Sequence, residues 1–211
     1  LVPFIRQLQA FHDPIHEEKE LIPKSRHSSL PSSALRILIK RLNELFPCPT
    51  GASWISSDSW AKMRESQAAK FLSVTSRIEN LSSCVINEVN FSTYEENPSN
   101  SVIALQADCA PQYGIIEQIF RHRRTQGDKT SRADTWLVVQ PLLPCNFSNP
   151  FAGLPDFDLK VELRSFQADS DTLYINHVKE VFSHCAWIKY KPGEILPKIK
   201  KEYMAVVSLD R

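Results

Sequence analysis

"GIIEQIFRHRRTQGDKTSRADTWLVVQPLL", residues 114–143, sets two apolar runs on either side of a basic loop that contains one glycine. Valine, isoleucine and aromatic residues suit a pleated, half-buried surface, so each run reads as a strand. The polar loop between them reads as a hairpin tip. Pro141 has no backbone N–H to give to a neighbour, so strand pairing is expected to fail there, at a sheet edge or bulge.

The same texture continues on both sides. Upstream lie "CVINEVNFSTY" (84–94), an Asn-Pro turn in "EENPSN" and "SVIALQA" (101–107). Downstream, a crossing rich in proline and phenylalanine, "PCNFSNPFAGLPDF" (144–157), leads to "LKVELRSF" (159–166), "DTLYINH" (171–177), "EVFSHCAWIKY" (180–190) and "EYMAVVSLD" (202–210). Short strands without interleaved helices point to a mainly β fold, an antiparallel barrel or two-sheet sandwich, and away from a doubly wound α/β fold.

The clearest helix precedes them. In "SSALRILIKRLNELF" (32–46), Leu35, Leu38, Ile39, Leu42, Leu45 and Phe46 recur at helical spacing. Ser32 or Ser33 is expected to cap it, and Pro47 and Pro49 to end it. Arg36, Lys40, Arg41 and Glu44 form its solvated face. Residues 50–82 carry a short helix near Asp58, anchored by Trp54 and Trp60. Residues 1–31 begin with Val2, Ile5, Leu8 and Phe11 at helical spacing until Pro14 interrupts, and read as an irregular surface tether from an upstream domain. The expected division is therefore a tether (1–31), a helical lead-in (32–82) and a β domain (83–211). The first residue is leucine and no leader pattern follows, which reads as a piece of a longer protein.

Composition narrows the function classes. The 211 residues carry a net charge of +1, so a polyanionic partner must be met by local clustering. Five cysteines, Cys48, Cys84, Cys109, Cys145 and Cys185, stand far apart with no C-x-x-C pair, which reads as free thiols in a reducing compartment, nuclear or cytosolic. No apolar run reaches the roughly 20 residues of a membrane helix. His12 and His16 would share a helix face with Glu17 nearby, but Pro14 between them spoils the helix, so no metal site is expected. Asp156, Asp158, Asp169 and Asp171 read as turn acids. His184 and Cys185, adjacent on a strand, point to opposite faces and cannot act as base and nucleophile through local spacing. With five glycines and no G-x-S-x-G or phosphate-cradling pattern, neither a catalytic residue nor a cofactor is assigned.

Two sets of candidate binding residues remain. Arg121, Arg123, Arg124, Lys129 and Arg132, against Asp128 and Asp134, leave a local excess of +3 in the hairpin loop. Arginine suits phosphate because its planar fork engages two oxygens at once. Lys189, Lys191, Lys198, Lys200 and Lys201 extend the basic set. Tyr94, Trp136, Tyr174 and Trp187 are the aromatic candidates for a partner contact, with Tyr113 and Tyr190 as further raw material.

The hairpin, the crossing with its "NPF", the "VFSHCAW" segment and "YMAVVSLDR" are together similar to the C-terminal regions that follow the catalytic part of fungal CACTA-type transposon proteins. "LVPFIRQLQAFHDP" and "NPSNSVIAL" share that similarity. The later half also resembles the bromo-adjacent homology layout, a twisted β-barrel in which "YGIIEQIF" leads through a variable loop to "TWLVVQ", with "EVFSHCAWI" as a further matching strand. These resemblances imply a non-catalytic accessory module of a transposase-like protein, in the nucleus, docking to a chromatin protein or to the upstream transposase domain, with DNA as an added contact. The rival expectations are a dedicated DNA-binding domain reading phosphates through the basic loop and, less favoured, a hydrolytic enzyme.

Overall fold

The computed structural model describes residues 27–48, 51–68, 70–125, 130–151, 160–166, 174–195, 197 and 200–209. In chain order the described elements are β1 (His27–Ser29), α1 (Ser32–Leu45), β2 (Ser53–Ser56), α2 (Ser57–Ala61), α3 (Glu65–Ala68), β3 (Phe71–Val74), β4 (Arg77–Leu81), β5 (Ser83–Ile86) and β6 (Val89–Ser92). They continue with β7 (Val102–Leu105), β8 (Tyr113–Thr125), β9 (Ser131–Pro144), β10 (Val161–Phe166), β11 (Tyr174–His177), β12 (Val181–Tyr190) and β13 (Tyr203–Ser208). The fold is mainly β, as the runs of β-branched residues require.

The hairpin of residues 114–143 forms as the long β8–β9 pair, in register from Gly114 opposite Pro141 to Thr125 opposite Ser131, with a bulge between Ile116 and Gln118. Its base belongs to a closed ring. β8 pairs with β7, β7 with β12, β12 with β13, β13 with β10, β10 with β9, and β9 returns to β8, every pair antiparallel. All six strands contribute to the interior: Val102, Ala104, Ile115, Leu142, Cys185, Met204 and Val206 are buried together, with Phe166 packed against them. Gly114 is needed at its place because a Cβ there would stand 2.2 Å from Val139 Cγ1 and 2.8 Å from the Gln140 carbonyl oxygen.

Pro141 does not end β9. The strand continues to Pro144, and its partner changes beside the proline, from β8 up to Pro141 to β10 from Leu142 onward.

Beyond the bulge the hairpin leaves the ring and becomes the centre of an open sheet, flanked by β4 and β1 on the β8 side and by β11 against β9. Alternation gives this half two faces. One face, Phe120, Trp136 and Val138, packs with Leu30, Ala34, Leu38 and Leu42 of the helical segment, and with Trp54, Val74, Ile78 and Ile175. Asn43 ties α1 to the parallel β2–β3 pair: its Oδ1 accepts from the Trp54 backbone N–H at 2.8 Å, and its Nδ2 donates to the Trp54 carbonyl at 3.1 Å. Trp54 Nε1 donates to the Phe46 carbonyl at 2.8 Å.

Packing therefore crosses the expected boundary at residue 83. β1 arises within the segment read as a tether and β4 within the lead-in, yet both extend the main sheet. The helix starts behind Pro31, which supplies no side-chain cap, in place of the expected serine cap. The run 84–94 is not one strand but the β5–β6 hairpin, turned by Asn87 and Glu88 at φ of 49° and 67°. Residues 12, 16, 17, 156, 158, 169 and 171, weighed as ligands or acids, lie outside the described residues. No helix among the described residues is long and apolar enough to cross a membrane.

Candidate functional site

The other face of the open half carries a groove of about 460 Å³, lined by His27, Thr75, Arg77, Ile78, Glu79, Arg121, Arg123, Thr125 and Ala133. Strand register explains why these side chains meet. Glu79 lies opposite Arg121, and His27 opposite Glu79, so β1, β4 and β8 each place a polar side chain in one row. The next row holds Ser29 opposite Arg77, with Arg123 one step beyond the Ile78–His122 pair. Arg121 donates to Glu79 Oε2 at 3.2 Å, an exposed pair of little net worth. Among the described residues Arg77 and Arg123 have no carboxylate partner, and both are exposed.

Arg121, Arg123 and Thr125 alternate along one edge of the groove. Residues two apart on an extended strand are separated by about 6.8 Å, a spacing comparable to that of consecutive phosphates along a nucleic-acid strand.

Directly behind the groove, on the helix-covered face, lies a buried polar cluster. Arg124, which sequence reasoning assigns to the basic surface, is withdrawn into it: Nε donates to Asp134 Oδ2 at 2.7 Å and the guanidinium lies 4.3 Å from the Phe46 ring centre. Alternation forces this, since Arg121, Arg123 and Thr125 take the outer face and leave His122 and Arg124 pointing inward. His122 Nε2 donates to the Thr75 carbonyl at 3.0 Å. His177 stacks edge-on against Trp136 and Phe46, with centroids 5.0 and 5.2 Å away. Its Nδ1 accepts from the Lys179 backbone N–H at 3.2 Å, which leaves the proton on Nε2, 4.0 Å from Asp134 Oδ1. Burial pushes both imidazoles below their ordinary range, and the Asp134 carboxylate only partly offsets it.

Glu180 fastens the same region to the helix. Its carboxylate accepts from Arg41 of α1, from the His177 backbone N–H at 2.8 Å and from the Cys109 thiol at 3.3 Å. Burial, reinforced by Glu180, pushes the Cys109 thiol up to about 12, and burial pushes Cys84 up to about 11. Both thiols are therefore protonated and weakly nucleophilic at neutral pH.

The candidate residues separate as follows. Arg121 and Arg123 come together in the groove, joined by Arg77, Glu79 and His27, which sequence reasoning missed. Arg132 is exposed outside the groove lining, and Lys200 and Lys201 are exposed before β13. Lys189 pairs with Glu202 at 2.8 Å, and Lys129 and Lys198 lie outside the described residues. Trp136 is wholly buried and unable to meet a partner, and Tyr174 is half-buried against the apolar layer of Ile116, Ile119 and Leu137. Tyr94 and Trp187 do meet, with ring centres 6.2 Å apart and planes tilted by 38°. Trp187 Nε1 donates to the Pro98 carbonyl at 3.1 Å, which fixes its ring beside the exposed Tyr94.

Among the described residues no group of three or more histidine, cysteine, aspartate or glutamate side chains is placed to hold a metal ion. Comparison with protein-family models, with curated proteins and with solved structures gives no match.

Proposed function

We propose that this chain is a non-catalytic binding module that takes the phosphate backbone of nucleic acid in the groove of Arg77, Arg121 and Arg123. The observation that carries this reading is the convergence of three arginines from two paired strands on one open face, with Glu79 as the single lining carboxylate among the described residues. Arginine forks bind phosphate oxygens in pairs, and each contact releases counterions. Among the described residues the groove lining offers arginine and threonine side chains and no phenylalanine, tyrosine or tryptophan ring for base stacking, which favours a contact to the backbone that is independent of base sequence. The acid–base groups behind it, Asp134, His122 and His177, are held in buried contacts, which favours binding over hydrolysis.

The resemblance to transposon C-terminal regions and to the bromo-adjacent homology layout supports placing this module in the nucleus, as an accessory part of a transposase-like protein. A protein partner is the second reading. The exposed Tyr94 beside Trp187 favours it, at a surface distinct from the groove.

Titration of a labelled mixed-sequence DNA duplex across a salt series tests the first reading. Three phosphate contacts give a slope of log K against log salt of about −2.7. The triple variant Arg77→Glu, Arg121→Glu, Arg123→Glu abolishes binding. Salt-independent binding, or binding that survives the triple variant, overturns the reading.

A further inference from the structure

We propose that Thr125 is a phosphorylation site and that its phosphate closes the basic groove to nucleic acid; this rests on the phosphate-binding reading of that groove. Thr125 is exposed, ends β8 and lines the groove. It stands third in the row that begins with Arg121 and Arg123, so a phosphate on its Oγ1 enters the same row of charge that a nucleic-acid strand would occupy. Phosphothreonine carries about −1.5 to −2 charges and three acceptor oxygens, and it is held where arginines are close by. Among the described residues three arginines and one glutamate line the groove, so this one modification offsets nearly all of the net positive charge that they supply.

The same row makes Thr125 accessible to an arginine-directed serine/threonine kinase. Such an enzyme takes its substrate extended and reads arginines on the N-terminal side of the acceptor through carboxylates. β8 already presents Arg121, Arg123 and Thr125 on one side of an extended chain, and Thr125 closes the strand, opposite Ser131. Thr75, the other threonine of the groove, follows "KFLSV" and lacks an arginine in that run. In the reaction the γ-phosphoryl group of ATP passes to Thr125 Oγ1. The bond from that phosphorus to the ADP oxygen breaks, ADP departs, and the hydroxyl proton goes to the kinase's base.

The test treats the full chain with ATP and an arginine-directed serine/threonine kinase, locates the phosphate by mass spectrometry, and titrates the labelled duplex at low salt. The expected result is phosphate on Thr125 and a fall in duplex affinity of about tenfold or more, with a salt slope shallower by about 0.9 for each DNA phosphate that the arginines release. Thr125→Glu, with a single charge, lowers affinity several-fold, whereas the duplex affinity of Thr125→Val, whatever its starting value, does not change on kinase treatment. Incorporation at Thr125 with unchanged affinity, or incorporation that spares Thr125, overturns this inference while leaving the groove reading intact. A duplex that fails to bind even the unmodified chain overturns the groove reading, and this one with it.

Discussion

Arg124 Nε donates to Asp134 Oδ2 at 2.7 Å across the β8–β9 pair, from a side chain that is only 2% exposed. Removing one member of such a pair leaves a charge without compensation in the core. Arg124→Met is therefore expected to lower the free energy of unfolding by about 3–5 kcal/mol, and Asp134→Leu by a similar amount. The double variant recovers most of the loss, because two apolar side chains replace both charges. Urea unfolding of the three variants measures the coupling, and strictly additive losses would contradict the assigned pairing.

Acid weakens the fold in a defined window. His122 and His177 are held below the ordinary histidine value of 6.5, first of all by burial, so they are neutral in the folded chain. The unfolded chain takes up more protons as pH falls through about 6.5, so stability is full above that value and drains away below it, toward the folded values. Urea midpoints should fall between about pH 7.5 and about pH 5.5, and His177→Gln should flatten that fall. An unchanged slope in this variant would remove His177 from the account.

Gly114→Ala is expected to destabilise the ring. The added methyl carbon meets Val139 Cγ1 at 2.2 Å and the Gln140 carbonyl oxygen at 2.8 Å, and the second of these is backbone in a paired strand. Overpacking of this kind costs about 1–3 kcal/mol. Thermal unfolding at matched protein concentration reads the loss directly.

Glu79→Gln should strengthen duplex binding. Glu79 is the groove's own carboxylate and occupies Arg121 at 3.2 Å, so its neutralisation frees that guanidinium and raises the local positive charge. Because the pair is exposed, the gain in affinity is at most about fivefold and stability hardly moves. Weaker binding by this variant at low salt would argue that Glu79 positions Arg121 productively.

The fold class was legible because β-branched and aromatic residues mark strands locally, and 113–125 with 131–144 form where those residues cluster. What local pattern does not carry is the partner of each strand. "RHSS" and "RIENL" look like connecting text, yet His27–Ser29 and Arg77–Leu81 become strands because β8 offers them an edge. The groove was half visible for the same reason: Arg121 and Arg123 are neighbours in sequence, whereas Arg77 reaches them only through register. Arg124 was misplaced because charge alone assigns it to the surface. Alternation along β8 sends it inward instead, where Asp134 and the Phe46 ring receive it.

The order of strands around the ring bears on how a ribosome must deliver this chain. β12 and β10 are bridged by β13, so the circle cannot shut until Tyr203–Ser208 has been synthesised. Until then the nascent polypeptide presents two open seams of unsatisfied amides and carbonyls, the kind of edge to which other chains adhere. Maturation is thus gated by translation of a single late segment, and the growing chain has most need of chaperone cover just before that segment emerges.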